Sequence, residues 1–476
     1  MEGGGIQAPA GVSLLGRIKR LWRDIARSAK DNASVALSPD LPDDDLPRLS
    51  GQLRACLEAR GGEVSARARA AALGREYLSL SPIGRKRFLS LLATQFGPEG
   101  AAVDAAVEKL RKAGEDAEAR ASAERALRAA LEPSRLKLLT QFNGLPEGVK
   151  FLVDLRAELL SFAKSDRALL ALESDLKGLL TSWFDVGFLE LQRVTWRSSA
   201  NVLEKIMAYE AVHAIQGWDD LKNRLDEADR RLYAFFHPRM PDEPLIFVEV
   251  ALVRGIAADV IELLDTHAPA GDSAGADTAI FYSINNAQKG LNGISFGNFL
   301  IKRVVEELSR EFEKLKVFAT LSPLPGFRSW LEERLAAGEP GLLTPAEHRA
   351  LTQVSGGLGA KGSLKALIAE PGWKDDPRLA EALQVPLTRL AARYVVEVKR
   401  PDGRALDPVA HFHLSNGARI ERVNWLGDTS AKGMAQACGM MVNYLYKLDD
   451  IEANHETYAA TGKVVASSAI KGLLKG

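Results

Sequence analysis

From about residue 50 to residue 180, apolar side chains return every three to four positions, the period of an amphipathic helix. Leu152, Leu155, Leu159, Leu160 and Ala163 share one face of such a helix. The region is rich in Ala, Leu, Arg and Glu and poor in β-branched residues, and short turn signals such as Gly97-Pro98 and Asn143-Gly144-Leu145-Pro146 interrupt it. The pattern predicts a bundle of about six to eight helices, and no repeat of fixed period suggests a solenoid. Near residue 185 the pattern changes. Runs rich in Val, Ile, Phe, Tyr and Trp predict strands at Phe188–Trp196, Leu245–Val253, Thr278–Ile284, Leu315–Thr320, Tyr394–Val398 and Ala418–Trp425. Helical patterns lie between them at 200–210, 217–233, 297–314, 326–337 and 430–448, while 338–390 reads as an inserted, loosely organised helical stretch. Strands alternating with helices after an all-helical half define an α+β chain. Residues 1–48 read as a flexible N-terminal segment and linker, 49–184 as the helical bundle and 185–476 as the domain containing the sheet. The proline-punctuated acidic run Ser38–Pro47 marks the linker over 31–50.

Composition narrows the function classes. The 476 residues include 62 Lys+Arg and 62 Asp+Glu, a formal net charge of zero, which argues against a nucleic-acid binder that works through a whole-chain basic field. With 46% hydrophobic and 26% charged residues the chain is an ordinary globular mixture. Its only cysteines, Cys56 and Cys438, cannot staple a secreted scaffold, and no Cys/His cluster has zinc spacing. No stretch approaches the ~20 apolar residues of a membrane span. A cytoplasmic location is expected. The competing reading is a mitochondrial presequence, because Leu14, Ile18, Leu21, Trp22, Ile25 and Ala29 recur at helical spacing among six basic residues. A short surface helix accounts for the same pattern, and Asp24 interrupts its basic face.

Four segments carry candidate chemistry. Asn292-Gly293-Ile294-Ser295-Phe296-Gly297-Asn298 joins a predicted strand to a predicted helix. Its glycines allow bare backbone N–H groups to approach a phosphate; without G-x-G-x-x-G or Walker spacing, a simple strand-to-helix turn stands beside that reading. Ser322, in Ser322-Pro323-Leu324-Pro325-Gly326-Phe327, follows a predicted strand and is stiffened by two prolines. It reads either as an exposed reactive hydroxyl or as a turn or capping serine. In His411-Phe412-His413-Leu414-Ser415-Asn416-Gly417-Ala418, Asn-Gly predicts a hairpin that would put His411 and His413 on one face of one strand. No third ligand has helpful spacing for a metal, so an acid–base imidazole is weighed against a packed strand histidine. Met440–Tyr446 is placed on a helix capped by Asp428 or Ser430.

Taken together, Trp183–Leu189, Phe281-Tyr282-Ser283-Ile284, Phe299–Val305, Leu321–Phe327 and Phe412-His413-Leu414 with Asn416-Gly417-Ala418 resemble the malonyl-CoA decarboxylase family, in order and in register from about 75 to 470. The resemblance implies a helical bundle that mediates oligomerisation, as a tetramer or dimer of dimers, followed by a GCN5-related acetyltransferase-like catalytic domain. It also implies conversion of malonyl-CoA to acetyl-CoA and CO2. It puts catalytic roles on Ser322, His413 and Tyr446 and CoA binding on Asn292, Gly293, Ile294, Ser295, Phe296, Gly297 and Asn298. Ser295 stands where animal members have an acidic residue, so a carboxylate role at that point is in doubt. The animal peroxisomal tail is also missing.

The implied chemistry needs no cofactor or metal, because the thioester carbonyl takes up the electrons as CO2 leaves. A protonated His413 would return a proton to C2, and Ser322 would orient the carboxylate or the imidazole. An acyl-CoA N-acyltransferase and a non-catalytic malonyl-CoA sensor are the competing functions.

Overall fold

The structure is a computed structural model that describes Trp22, Arg23, Ile25 and residues 37–58, 62–226, 228–269, 271–294, 300–355 and 360–475. The chain divides into two compact units. The first draws on 1–188, 237–241 and 288–295, and the second on 189–236, 242–287 and 296–476. Among the described residues no helix is long and apolar enough to cross a membrane.

In the first unit the helices of residues 37–188 are Leu46–Leu57, Gly62–Ser79, Pro82–Gln95, Gly100–Lys112, Ala117–Leu131, Ser134–Asn143, Gly148–Phe162 and Arg167–Trp183, eight among the described residues of that stretch and within the range the periodicity predicts. Caps set several starts. Ser81 accepts from Gly84 N–H ahead of Pro82, and Asp116 and Asp166 accept from the second and third backbone donors of their helices. Trp22 lies within the core, edge-on to Phe151 at 4.9 Å and stacked on Phe142 at 6.0 Å, and its Nε1–H donates to Pro146 O at 2.8 Å. For this tryptophan the surface-helix reading is corrected: its ring is fully buried, and the indole N–H has the partner that burial demands. The stretch read as a linker is packed from Leu37 onward. Leu37 and Leu41 are buried, and the helix Leu46–Leu57 begins inside it.

The second unit is built on one mixed sheet of β1 (Glu190–Val194), β2 (Arg230–Phe236), β3 (Ile246–Val253), β4 (Thr278–Asn286), β5 (Val317–Thr320), β6 (Ser322–Pro323), β7 (Arg419–Asn424) and β8 (Met441–Leu445). The order is β1-β2-β3-β4-β5-β8-β6, with β7 also on β8. Every pairing is antiparallel except β4 with β5. The sheet packs apolar side chains on both faces. Leu232, Ala234, Phe236 and Phe247 meet Val202, Leu203, Ile206, Leu221 and Leu225, while Ala251, Ile280, Ala319 and Met441 meet Val260 and Leu263. This is the α+β arrangement expected from the sequence, a mixed sheet with helices after a helical unit.

Several predicted elements are corrected. Tyr394–Val398 is the end of the helix Pro377–Glu397, started by Asp376 and Pro377, and its Val residues are buried or half-buried on that helix rather than on a strand. The helix predicted over 217–233 stops at Asp226, and its tail is β2. All seven residues of β2 are buried, so the alternation that marks a half-exposed strand is absent. The helix predicted over 430–448 ends at Ala437, where Cys438 and Gly439 both take positive φ, and Met441–Leu445 is a strand. The predicted hairpin at Asn416-Gly417 is the end of the helix Pro408–Ser415, with Gly417 at φ +80° as the left-handed residue that stops it.

Candidate active site

The parallel pair β4–β5 is short, its last rung being Phe281↔Thr320. Leu321 N–H still donates to Phe281 O at 3.0 Å. Beyond that point β4 continues along β3 to Asn286, whereas Ser322 and Pro323 pair with Val442 and Met441 of β8. The two chains therefore part at Phe281. Just past the parting, β4 carries an extra residue, Tyr282, opposite the Glu249–Val250 step of β3. A bulge re-aims the backbone groups of its strand, and here it does so at the mouth of the opening.

Ser322 stands at this opening, two residues beyond the last rung. Its hydroxyl donates to Thr320 Oγ1 at 2.9 Å and shares a hydrogen bond of 3.1 Å with His413 Nε2. The other ring nitrogen, Nδ1, is 2.8 Å from Tyr446 Oη. Tyr444, on β8, stacks its ring on the imidazole at 4.5 Å with a 24° tilt, and Tyr446 meets the imidazole edge-on. Four side chains thus form one hydrogen-bonded line: Thr320, Ser322, His413 and Tyr446.

Each member is held from behind. Thr320 Oγ1 accepts from Tyr444 N–H at 3.1 Å, and Asn443 Nδ2 donates to Thr320 O at 2.7 Å. Asn424 Nδ2 holds Asn443 Oδ1 at 2.8 Å. The helix Pro408–Ser415 presents His413, and Asp407 caps it by accepting from Val409 N–H and Ala410 N–H. Proline at the first helical position fixes the entry.

No hydrogen bond to Ser322, His413 or Tyr446 among the described residues comes from a charged group. Ser322 and His413 are 5% and 3% exposed. Burial alone pushes the imidazole down to about 3, because the buried ring loses the hydration that stabilises its charged form. The imidazole of this cluster is therefore neutral at neutral pH. Burial likewise holds the Tyr446 and Tyr444 phenols well above their ordinary range. Asp407, fully buried, is pushed up to about 6 by burial against the pull of its backbone donors.

The structure brings Ser322, His413 and Tyr446 together, although two of the three sit on elements other than those predicted. His413 is on a helix rather than a strand, and Tyr446 follows a strand rather than lying on a helix. His411, two residues along that helix, shares no face with His413. Its Nδ1 meets Tyr458 Oη at 2.9 Å, a tie to the helix Ile451–Thr461. Among the described residues no group of three metal-ligating side chains occurs. Asn292, Gly293 and Ile294 follow a short 3-10 turn, Lys289–Leu291, in the first unit. Ser295, Phe296, Gly297 and Asn298 lie outside the described residues. Sequence reasoning missed Thr320, Asn443, Tyr444 and Asp407. Thr320 and Tyr444 each precede a predicted site residue by two, the strand period that sets side chains on one face. Asp407-Pro408 is a helix-start signal.

A mixed sheet opened between its parallel strands, with an uncharged Ser–His–Tyr line at the opening, defines the class: an α+β protein with an acid–base cluster of the kind enzymes use. Comparison with known proteins makes it specific. Residues 187–476 match the model of the malonyl-CoA decarboxylase C-terminal domain, and 96–184 that of the N-terminal domain. The mitochondrial malonyl-CoA decarboxylase of Rattus norvegicus is 40% identical over 408 residues, 82% of each chain, and that of Anser anser anser 38% over 421 residues, 84% of this chain and 82% of that one. Crystal structures of malonyl-CoA decarboxylase from Rhodopseudomonas palustris and Agrobacterium vitis each superpose with a TM-score of 0.81 at 44% identity, covering 90% of this chain and 99% of theirs. The chain belongs to the malonyl-CoA decarboxylase family of carboxy-lyases.

Proposed function

We propose that the protein converts malonyl-CoA to acetyl-CoA and CO2, with His413 returning the proton to C2 of a thioester enolate. The observation that carries this reading is the buried, uncharged line Thr320–Ser322–His413–Tyr446 at the β4–β5 opening. The malonyl thioester enters that opening with its carboxylate near Ser322 and the imidazole. A negative charge close to a buried imidazole favours the charged ring, so binding draws one proton from solvent onto His413. Tyr446 holds Nδ1 in either state, since a phenol hydroxyl both donates and accepts.

The C2–carboxylate bond then breaks. Its electron pair passes into the thioester carbonyl, CO2 departs, and the enolate oxygen is stabilised by backbone N–H groups near the Tyr282 bulge. Ser322 keeps the carboxylate perpendicular to the thioester plane, where overlap with the carbonyl is greatest. The proton on Nε2 moves to C2 and the ring is neutral again, so the one proton taken up is the one consumed. No cofactor is required, since the thioester itself is the electron sink.

The test is to incubate purified protein with malonyl-CoA and follow CO2 and acetyl-CoA together. Equal amounts of both support the reading. Binding without turnover would replace it with a sensor, and free CoA in place of acetyl-CoA would replace it with acyl transfer or hydrolysis. A trapped acyl-enzyme on Ser322 would overturn the positioning role of that serine.

The family also supports a homo-oligomer, a tetramer or dimer of dimers built through the helical unit, checked by light scattering. A cytoplasmic location fits the burial of Trp22, because a leader cleaved beyond it would leave the helical core open. N-terminal sequencing of the protein from its source cells tests this.

A further inference from the structure

We propose that Asp407 is a positioning residue that ties the Ser322 segment to the helix bearing His413, so that one buried carboxylate sets the contact between them. The inference rests on the malonyl-CoA reading above and adds a residue to its machinery. Asp407 is fully buried. Its Oδ1 alone caps the helix Pro408–Ser415, accepting from Val409 N–H at 3.0 Å and from Ala410 N–H at 2.9 Å. A cap asks for no more than one side-chain oxygen. Oδ2 is buried as well and makes no full hydrogen bond among the described residues.

The other donors that act on this carboxyl belong to the serine side. Pro323 and Pro325 stiffen the chain between Ser322 and Gly326, and Phe327 N–H closes the turn on Leu324 O at 3.1 Å. Tyr394 packs its ring on the helix Phe327–Ala336 that follows, 5.8 Å from Phe327 and 5.3 Å from Trp330. Its Oη comes so near the Gly326 backbone that a Cβ there would lie 2.5 Å from it. Burial pushes the Asp407 carboxyl up to about 6, against the pull of the two capping N–H groups, the Tyr394 hydroxyl and the Gly326 N–H. Tyr444 of β8, whose ring stacks on His413, feels the same carboxylate. A buried carboxylate oxygen is stable only close to donors, so the Asp407 charge holds the Gly326 turn against the start of the His413 helix. Ser322 lies four residues from one anchor and His413 six from the other, and their 3.1 Å contact depends on this joint.

The experiment compares wild type, Asp407→Asn and Tyr394→Phe. Asparagine caps a helix as well as aspartate does but brings no charge to the Gly326 turn, so it separates positioning from capping. For Asp407→Asn the expected result is a kcat for malonyl-CoA lowered about thirtyfold, the scale of a displaced catalytic group. The KM stays within about twofold and the thermal midpoint within about 3 °C. The wild-type kcat falls as the pH drops through about 6, where Asp407 takes up its proton, and Asp407→Asn lacks that limb. Tyr394→Phe keeps the charge and loses one donor, and lowers kcat about threefold. Selective 15N labelling of the histidines reads the joint without turnover: the His413 Nε2 resonance, assigned through His413→Gln and set by the bond to Ser322, shifts in Asp407→Asn. Wild-type kcat or an unmoved His413 resonance in Asp407→Asn overturns the proposal. If that variant fails to fold, Tyr394→Phe decides, and an unchanged kcat and resonance there overturn it. A wild-type protein that leaves malonyl-CoA intact would overturn the proposed function instead, while the resonance comparison still decides the role of Asp407.

Discussion

Two buried polar clusters lie in the sheet unit, and they handle charge in opposite ways. At the β4–β5 opening, Thr320, Ser322, His413 and Tyr446 bond, among the described residues, to uncharged groups. On β3 and β4, Glu249 is fully buried and accepts from Arg224 Nη1 at 3.0 Å, while Arg224 also binds Asp220. Beside them Glu210 accepts from Ser283 Oγ and from Asn285 Nδ2, the latter at 2.6 Å. Burial, reinforced by Glu210, pushes Glu249 up to about 8 against the pull of Arg224. The same burial pushes His413 down to about 3. In both places a low-dielectric interior favours the neutral form, raising an acid and lowering a base. The difference lies in the partners. The Glu249 cluster carries its own counter-ion, Arg224, whereas the His413 cluster has none among the described residues; in the proposed function the substrate brings the charge. In the proposed function, an uncompensated base at a strand opening is the group that carries the proton.

The sharpest way to break this contrast is to remove the base. His413→Ala should lower kcat by about a thousandfold, the scale of a missing acid–base group, while CoA affinity measured by calorimetry is retained. Next comes Arg224→Met, which leaves Asp220 and the His213 carbonyl without their buried partner. It should cost about 3 kcal/mol of stability in urea unfolding and leave the KM for malonyl-CoA unchanged.

The pH dependence of stability should separate the clusters by sign. His413 titrates at about 3 folded and near 6.5 unfolded, so the unfolded chain binds more protons between those values. Its contribution is present above 6.5 and is lost as the pH falls toward 3, by at most ~1.4 kcal/mol per pH unit. Glu249 runs the other way. The folded chain holds its proton up to about 8 against 4.5 unfolded, so its contribution is present below 4.5 and is lost as the pH rises toward 8. Unfolding series should show His413→Gln flattening the acid slope and Glu249→Gln the alkaline one; the reverse assignment would refute both shifts. The smallest effect is that of Glu249→Gln at pH 4, where both states hold the proton and the amide mimics the protonated acid; it should change stability there by less than ~1 kcal/mol.

The same contrast explains what the sequence made legible. The helical unit was readable because its caps and its three-to-four-residue period are local signals, as at Ser81-Pro82 and Asp166. Strands β3, β4, β5 and β7 were readable from their Val, Ile and Phe content. The missed strands are deeply buried: β2 has no exposed residue, and four of the five in β8 are buried, so neither shows alternation, and unlike the equally buried β3 neither is rich in Val and Ile. Asn416-Gly417 is ambiguous in principle, since a residue that tolerates positive φ serves a hairpin and a helix end equally well; Asp407-Pro408 was the local sign that decides between them. Ser322, His413 and Tyr446 were found through ordered motifs, not through spacing, because their meeting depends on the β5–β8 pairing across more than a hundred residues. Thr320, Asn443 and Tyr444 carry no motif of their own and became visible through the hydrogen bonds and ring contact that hold the others.

The measurement that bears most directly on the central claim is proton uptake when a non-decarboxylating malonyl-CoA analogue binds at pH 7 in weak buffer with an indicator dye. A neutral His413 that the substrate carboxylate charges predicts uptake of about one proton per site by the wild type and none by His413→Gln. Wild-type binding without proton uptake would contradict the account, since the proton for C2 would then have to come from a group other than this imidazole.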